Sequence, residues 1–235
     1  MKIIALESSA TTASVAVTED DRLLAQSFQN SGLTHSATLM PMAADLLKNT
    51  GLTLDEMDVV AVAAGPGSFT GVRIGVAAAK GLAWPGDKPC APCSTLESMA
   101  WQCVHVGGEI CAAMDARRNQ VYCARFSSEN GALRRLTEDR AMGLDELAEE
   151  VRASGKAQTL VGDGAHLVRN ALEEQDLSCV LMPPHLVYQT AWGVARAALR
   201  LAREDKLVSA AAMAPSYHRL SQAERERLER LGKTE

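Results

Sequence analysis

Three short apolar runs crowd into the first 28 residues, and this most constrains the fold. Residues 2–6, 13–18 and 22–28 each read as a strand, and the acidic turn Glu19-Asp20-Asp21 separates the last two. Links this short cannot cross over a sheet, so the three strands must form an antiparallel meander. The pattern then changes period. Apolar residues recur at helical spacing from Thr34 to Lys48, with Pro41 inside the run, where the helix either starts or kinks. Thr53 and Glu56 read as a capping box, and residues 58–63 as a strand buried on both faces. A second helix spans 69–83 and stops at Trp84-Pro85-Gly86. A strand near 88–91 and a helix from Ser94 to about Val104 follow, with Ser94 and Glu97 as another capping box.

Near Val106-Gly107-Gly108 the pattern restarts. Residues 109–114, 120–126 and 132–137 read as a second set of three strands. A helix (143–152), a strand (158–162), the turn Gly162-Asp163-Gly164, a helix (165–174) and a helix (190–203) complete it. The expected organisation is α/β in two related halves, each a mixed sheet flanked by helices. The first half spans 1–106 and the second 107–220, with helix 190–203 able to pack back on the first. The charged tail 221–235 reads as a solvated helical end or a partner-binding segment.

Composition excludes several functions. The 24 basic and 29 acidic residues leave a net charge of −5, against the basic excess of a free-standing nucleic-acid binder. Three Trp, three Tyr and three Phe are too few for a base-stacking platform. No window approaches 18 apolar residues and the start lacks an export signal, so a cytoplasmic protein with reduced thiols and no membrane span is expected.

The stretch Gly65-Pro-Gly-Ser-Phe-Thr-Gly71-Val-Arg-Ile-Gly75 is the strongest local signal. It reads as a glycine-rich turn opening a helix, suited either to an anion or to tight packing, and it is not a phosphate-binding P-loop. Each helical glycine costs about 1 kcal/mol against alanine, so Gly71, Gly75 and Ala79 imply close approach by another backbone of this chain or a second one. Glu7, Ser8 and Ser9 after the first strand place a carboxylate and two hydroxyls at the sheet's mouth, or form a polar turn. His35 has no helical partner, since position 39 is Leu39, so no metal site is expected. Cys90 and Cys93 have redox spacing beside a helix start, though inert buried thiols are the plainer reading. Arg117 and Arg118 lie at a hairpin end, where they could meet phosphate or have no function.

In order, IIALESSATTASVAV, THSATLMPMAADLL, GPGSFTGVRIGVAAAKGLA, CSTLESMA, MDARRNQVY, VGDGA and APSYHRL resemble the bacterial TsaB family of tRNA threonylcarbamoyladenosine biosynthesis, over roughly residues 1–220. The resemblance implies the actin-like ATPase (ASKHA) fold. It implies a non-catalytic subunit that binds the transferase TsaD, with the ATPase TsaE joining, tRNA met only indirectly and homodimers formed when the partner is absent. Helices 34–48 and 68–83 would dock the partner through Leu39, Met40, Ala43, Leu47, Gly71, Val72, Gly75 and Ala79. No catalytic residue, metal or cofactor of its own is implied. Glu7, Ser9, Gly65, Gly67, Ser68, Gly162 and Gly164 would form a vestigial nucleotide site, with a nucleotide at the partner interface left open. Glu7 stands where the family has Asp, which moves the carboxylate by one methylene. The rival reading is a small-molecule kinase or nucleotide hydrolase of the same fold; a metallopeptidase lacks its second histidine.

Overall fold

The computed structural model describes residues 1–218, so the charged tail from 221 onward lies outside the described residues. The opening meander forms as expected. Strands β1 (Lys2–Glu7), β2 (Ala13–Glu19) and β3 (Arg22–Gln29) pair antiparallel in sequence, with a bulge where Val17 and Thr18 meet β3. Strands β4 (Val59–Gly65) and β5 (Cys90–Ser94) add in parallel on the other side of β1, giving the order β3-β2-β1-β4-β5.

The second sheet repeats this plan. β6 (Gly108–Asp115), β7 (Gln120–Glu129) and β8 (Ala132–Arg135) form the meander. β10 (Gln158–Val161) and β11 (Cys179–Leu181) add in parallel beyond β6, giving β11-β10-β6-β7-β8. A further short strand, β9 (Arg140–Gly143), pairs with β7. Two mixed sheets of the same strand logic, each flanked by helices, are the actin-like architecture.

Helices α1 (His35–Thr50) and α2 (Phe69–Ala83) cover one face of the first sheet. Beneath them Ile4, Leu6, Val15, Val17, Val60 and Val62 meet Leu39, Ala43, Val72 and Val76. Pro41 sits inside α1 without ending it. Its missing N–H orphans the carbonyl of Ala37, and both residues are exposed, so water can satisfy that group. The opposite face carries Ile3, Ala5, Ala16, Ala61 and Ala91, and α6 (Ala191–Arg203) covers it. This explains why β1 and β4 are apolar without alternation. The core around Phe126, Ile110 and Leu160 is enclosed by α3 (Thr95–Gln102), α4 (Leu144–Ser154) and α5 (Ala165–Glu173), so α3 packs with the second half although it falls within the expected bounds of the first, 1–106.

Of the two expected capping boxes, Thr53 and Glu56 form theirs around a short 3-10 turn, Leu54–Glu56. The other is half formed: Ser94 Oγ accepts from the Glu97 N–H at 3.1 Å, but the Glu97 carboxylate turns away to Arg200. The ion pair to α6 is stronger than a second cap bond. Strands β9 and β11 do not appear in the sequence reading.

Candidate functional site

The residues singled out by sequence lie in two regions, helices α1 and α2 and the cleft between the halves.

The glycines of α2 have their explanation inside the chain. A Cβ on Gly71 would overlap the carbonyl oxygen of Ser8. A Cβ on Gly75 would come 2.6 Å from Ser8 Oγ and 3.2 Å from Val62 Cγ2, and Ala79 is fully buried. Ser8 Oγ donates to the Gly71 carbonyl at 2.9 Å, pinning the segment after β1 against the helix. This corrects the expectation that Gly71, Gly75 and Ala79 are small for the sake of a second chain. Val72, Leu39 and Ala43 are likewise buried in the first core; Leu47 is half-buried and Met40 is 41% exposed.

The outward face of the helix pair is a different set. On α1 it comprises Ala37, Met40, Pro41 and Ala44; on α2, Ala77 and Gly81, with Ile74 and Ala78 half-buried. Trp84 follows at 67% exposure. No atom lies within 4 Å of a Cβ built on Gly81. A glycine in that position weakens the helix by about 1 kcal/mol without any return from its own chain. The sequence shows Gly81 in the same run as Gly75, but only the structure shows which of them faces inward.

The cleft encloses about 660 Å³ and is lined from both halves. Its first wall is built from the β1 end and the α2 start. Ser9 N donates to Glu7 Oε1 at 2.6 Å, and Ser68 N donates to the Ser9 carbonyl at 2.6 Å. Its second wall carries Met114, Asp115, Arg117, Tyr122, Asp163 and Tyr188. All three tyrosines, with Phe69, face this space. Tyr217 stacks on Phe69 at 5.0 Å between centroids and accepts from Arg73 Nε at 2.7 Å.

Of the expected nucleotide-site residues Glu7, Ser9, Gly65, Gly67, Ser68, Gly162 and Gly164, the cleft is lined by Ser9, Gly67 and Ser68. A Cβ on Gly67 would meet the Ser9 carbonyl, one on Gly65 that of Ser216, one on Gly162 that of Ala113, and one on Gly164 the backbone of Met114. These glycines let the chain pack on itself. Glu7 is fully buried, and burial pushes its carboxyl up to about 7. Burial likewise raises Asp163.

His35 anchors the start of α1, its Nε2 lying 2.7 Å from the Ala10 carbonyl, with Leu39 buried one turn on. Among the described residues no cluster of three or more His, Cys, Asp or Glu side chains could hold a metal. Cys90 and Cys93 lie three apart on β5 and enter opposite cores, so they cannot pair. Burial raises both thiols, the reverse of the activation expected beside a helix start. Arg117 and Arg118 occupy the tip of the β6–β7 hairpin with positive φ, and the Arg117 N–H donates to Asp115 Oδ1 at 2.7 Å. No helix among the described residues is long and apolar enough to cross a membrane.

Comparison with known proteins agrees with this architecture. Residues 29–226 match the family model described as TsaD, tRNA N6-adenosine threonylcarbamoyltransferase. The tRNA threonylcarbamoyladenosine biosynthesis protein TsaB of Bacillus subtilis is 33% identical over 174 residues, covering 74% of this chain and 76% of that one. The Escherichia coli protein of the same name is 37% identical over 134 residues, 56% of this chain and 58% of that one. A Pseudomonas aeruginosa structure described as similar to peptidase YeaZ superposes with a TM-score of 0.81 at 24% identity, over 93% of this chain and 99% of that one. Component A of (R)-2-hydroxyglutaryl-CoA dehydratase from Acidaminococcus fermentans shares the fold at a TM-score of 0.50 and 13% identity, over 87% and 98% of the two chains. On the sequence match to Bacillus TsaB and the family model together, this chain belongs to the TsaB family.

Proposed function

We propose that this chain works in tRNA threonylcarbamoyladenosine biosynthesis as a non-catalytic subunit, docking on a TsaD-type transferase through the outward face of α1 and α2. The observation that carries this reading is the exposure of small and apolar residues on both helices, Met40, Pro41 and Ala44 on α1 and Ala77 and Gly81 on α2, with Trp84 exposed just after α2. Small residues let a partner helix approach closely, and an exposed tryptophan at the edge is the residue type that dominates interface energies. The same face serves a second copy when the transferase is absent. TsaE joins the assembly through the transferase, tRNA is met indirectly, and the work takes place in the cytoplasm. The glycines of these loops are accounted for by packing within the chain, so they lend no support to the kinase or hydrolase alternative.

The test is reconstitution. Purified TsaD-type transferase is captured on this chain, and tRNA modification is measured with and without it. Gly81→Leu and Ala77→Glu should reduce capture at least tenfold while thermal unfolding stays near wild type. Undiminished capture by both variants would remove this face from consideration.

A further inference from the structure

Helix α2 carries two cations, Arg73 and Lys80, and no carboxylate. They stand seven residues apart, so they share one flank of the helix and lie about 10 Å apart along its axis. On α1, Lys48 stands against Asp45, so the helix pair holds three cations to one anion. The chain as a whole is acidic, with a net charge of −5.

The segment after α6 holds both cations in line. Its Ala210 and Met213 are buried in the first core, and its Ser216 N–H donates to the Ala64 carbonyl at 2.7 Å. Lys80 Nζ donates to the Ala211 carbonyl at 3.3 Å, and Arg73 Nε donates to the Tyr217 hydroxyl at 2.7 Å. The Arg73 guanidinium also lies over the Phe69 ring, 3.7 Å from its centroid. A guanidinium held on two sides has given up rotamer freedom before a partner arrives. Residues 206–218 contain no carboxylate. Among the described residues neither Arg73 nor Lys80 forms an ion pair, and the Arg73 Nη groups make no hydrogen bond. Elsewhere in the chain arginines such as Arg22, Arg135 and Arg200 meet carboxylates of their own chain.

Resting on the reading that a transferase docks on α1 and α2, we propose that Arg73 and Lys80 form a two-point clamp for carboxylates on that transferase, set two turns apart on one of its helices. Exposed Ala77 lies between the two cations along α2, so a close apolar approach gains a charged border. Charge at such a border speeds encounter and fixes register more than it prolongs residence. Tyr217 is a positioning residue: its hydroxyl takes Nε and leaves both Nη groups to the partner.

The test is the kinetics of transferase capture by the full chain, at about 50 and 300 mM sodium chloride. Wild type is compared with Arg73→Ala, Lys80→Ala, the double variant and Tyr217→Phe. At low salt the double variant should associate roughly tenfold more slowly, with dissociation changed less than about threefold, and should lose most of the wild type's salt dependence. Each single change should show part of this loss. Arg73→Lys keeps the charge without the fork and should recover part of the rate. Tyr217→Phe keeps the ring and removes the hydroxyl, and should slow association roughly two- to threefold. Thermal unfolding of each variant checks that it is folded. Wild-type kinetics in the double variant, while Gly81→Leu still blocks capture, would overturn the clamp and leave the docking face standing. Failure of wild type itself to capture the transferase would remove the docking face and the clamp with it. Two other occupants would also sink the proposal. One is a second copy, if the double variant alters only self-association of the chain. The other is the chain's own residues 221–235, if deleting them makes wild type and double variant bind alike.

Discussion

At the residue scale, glycines on one helix do opposite things. Gly75 faces Ser8 and Val62 at distances that leave no room for a side chain, whereas Gly81 faces open space. Gly75→Leu should therefore destabilise the chain by roughly 3 kcal/mol or more through overpacking. Gly81→Ala should stabilise the isolated chain by up to about 1 kcal/mol through helix propensity alone. Urea unfolding of the two variants checks both signs. The periodicity of small residues was legible in the sequence, and so was the separation of Gly81 from the stripe of Gly71, Gly75 and Ala79, but which of the two faces meets the chain's own core was not, because small residues mark both. The buried state of Glu7 was equally hidden. Its neighbours Ser8 and Ser9 read as a polar turn, and only the arrival of α2 and the loop before it removes them from water.

At the element scale, helix α6 is held to α3 by a fork. Glu97 is buried in α3 and accepts from Arg200 Nε at 2.6 Å and Nη2 at 2.9 Å. Nearby, Gly193 of α6 lies so close to the Ser98 carbonyl that no Cβ would fit. Glu97 keeps Arg135 Nη2 at 3.4 Å when Arg200 is removed, and Arg200 is partly exposed, so Arg200→Ala should cost on the order of 1–2 kcal/mol, and Glu97→Gln with Arg200→Gln together should cost less than the sum of the single changes. A double-mutant cycle in urea measures this. Most elements were legible: the opening meander, the bounds of α2 and the parallel strand β4 all follow from period and punctuation. Strands β9 and β11 were not, because four and three residues are too few to show alternation. β9, reading Arg-Ala-Met-Gly, also has no β-branched residue to mark it. The Glu97 cap misled for a related reason, since the sequence shows a carboxylate at the right offset but not the arginine 103 positions away that claims it.

At the scale of the whole molecule, the repeat of strand order between the sheets was legible as a restart near residue 107, while the closing of the first sheet by the last described helix was only one of the options. The face of Ile3, Ala5, Ala16, Ala61 and Ala91 has α6 as its cover. A fragment ending at residue 106 should therefore lack a cooperative thermal transition and bind a hydrophobic dye. The same fragment mixed with a peptide spanning residues 188–218 should regain helical circular dichroism and lose dye binding. Should the short fragment melt cooperatively by itself, the first half would not need α6.

That crossing also sets a timetable during translation. The ribosome delivers the opening strands early, but the helix that seals them emerges only after the entire second sheet. At bacterial elongation speeds the nascent first half stands with one greasy flank bare for roughly 5–20 s. A cell making this polypeptide must shield that flank until the final turn of α6 clears the exit tunnel.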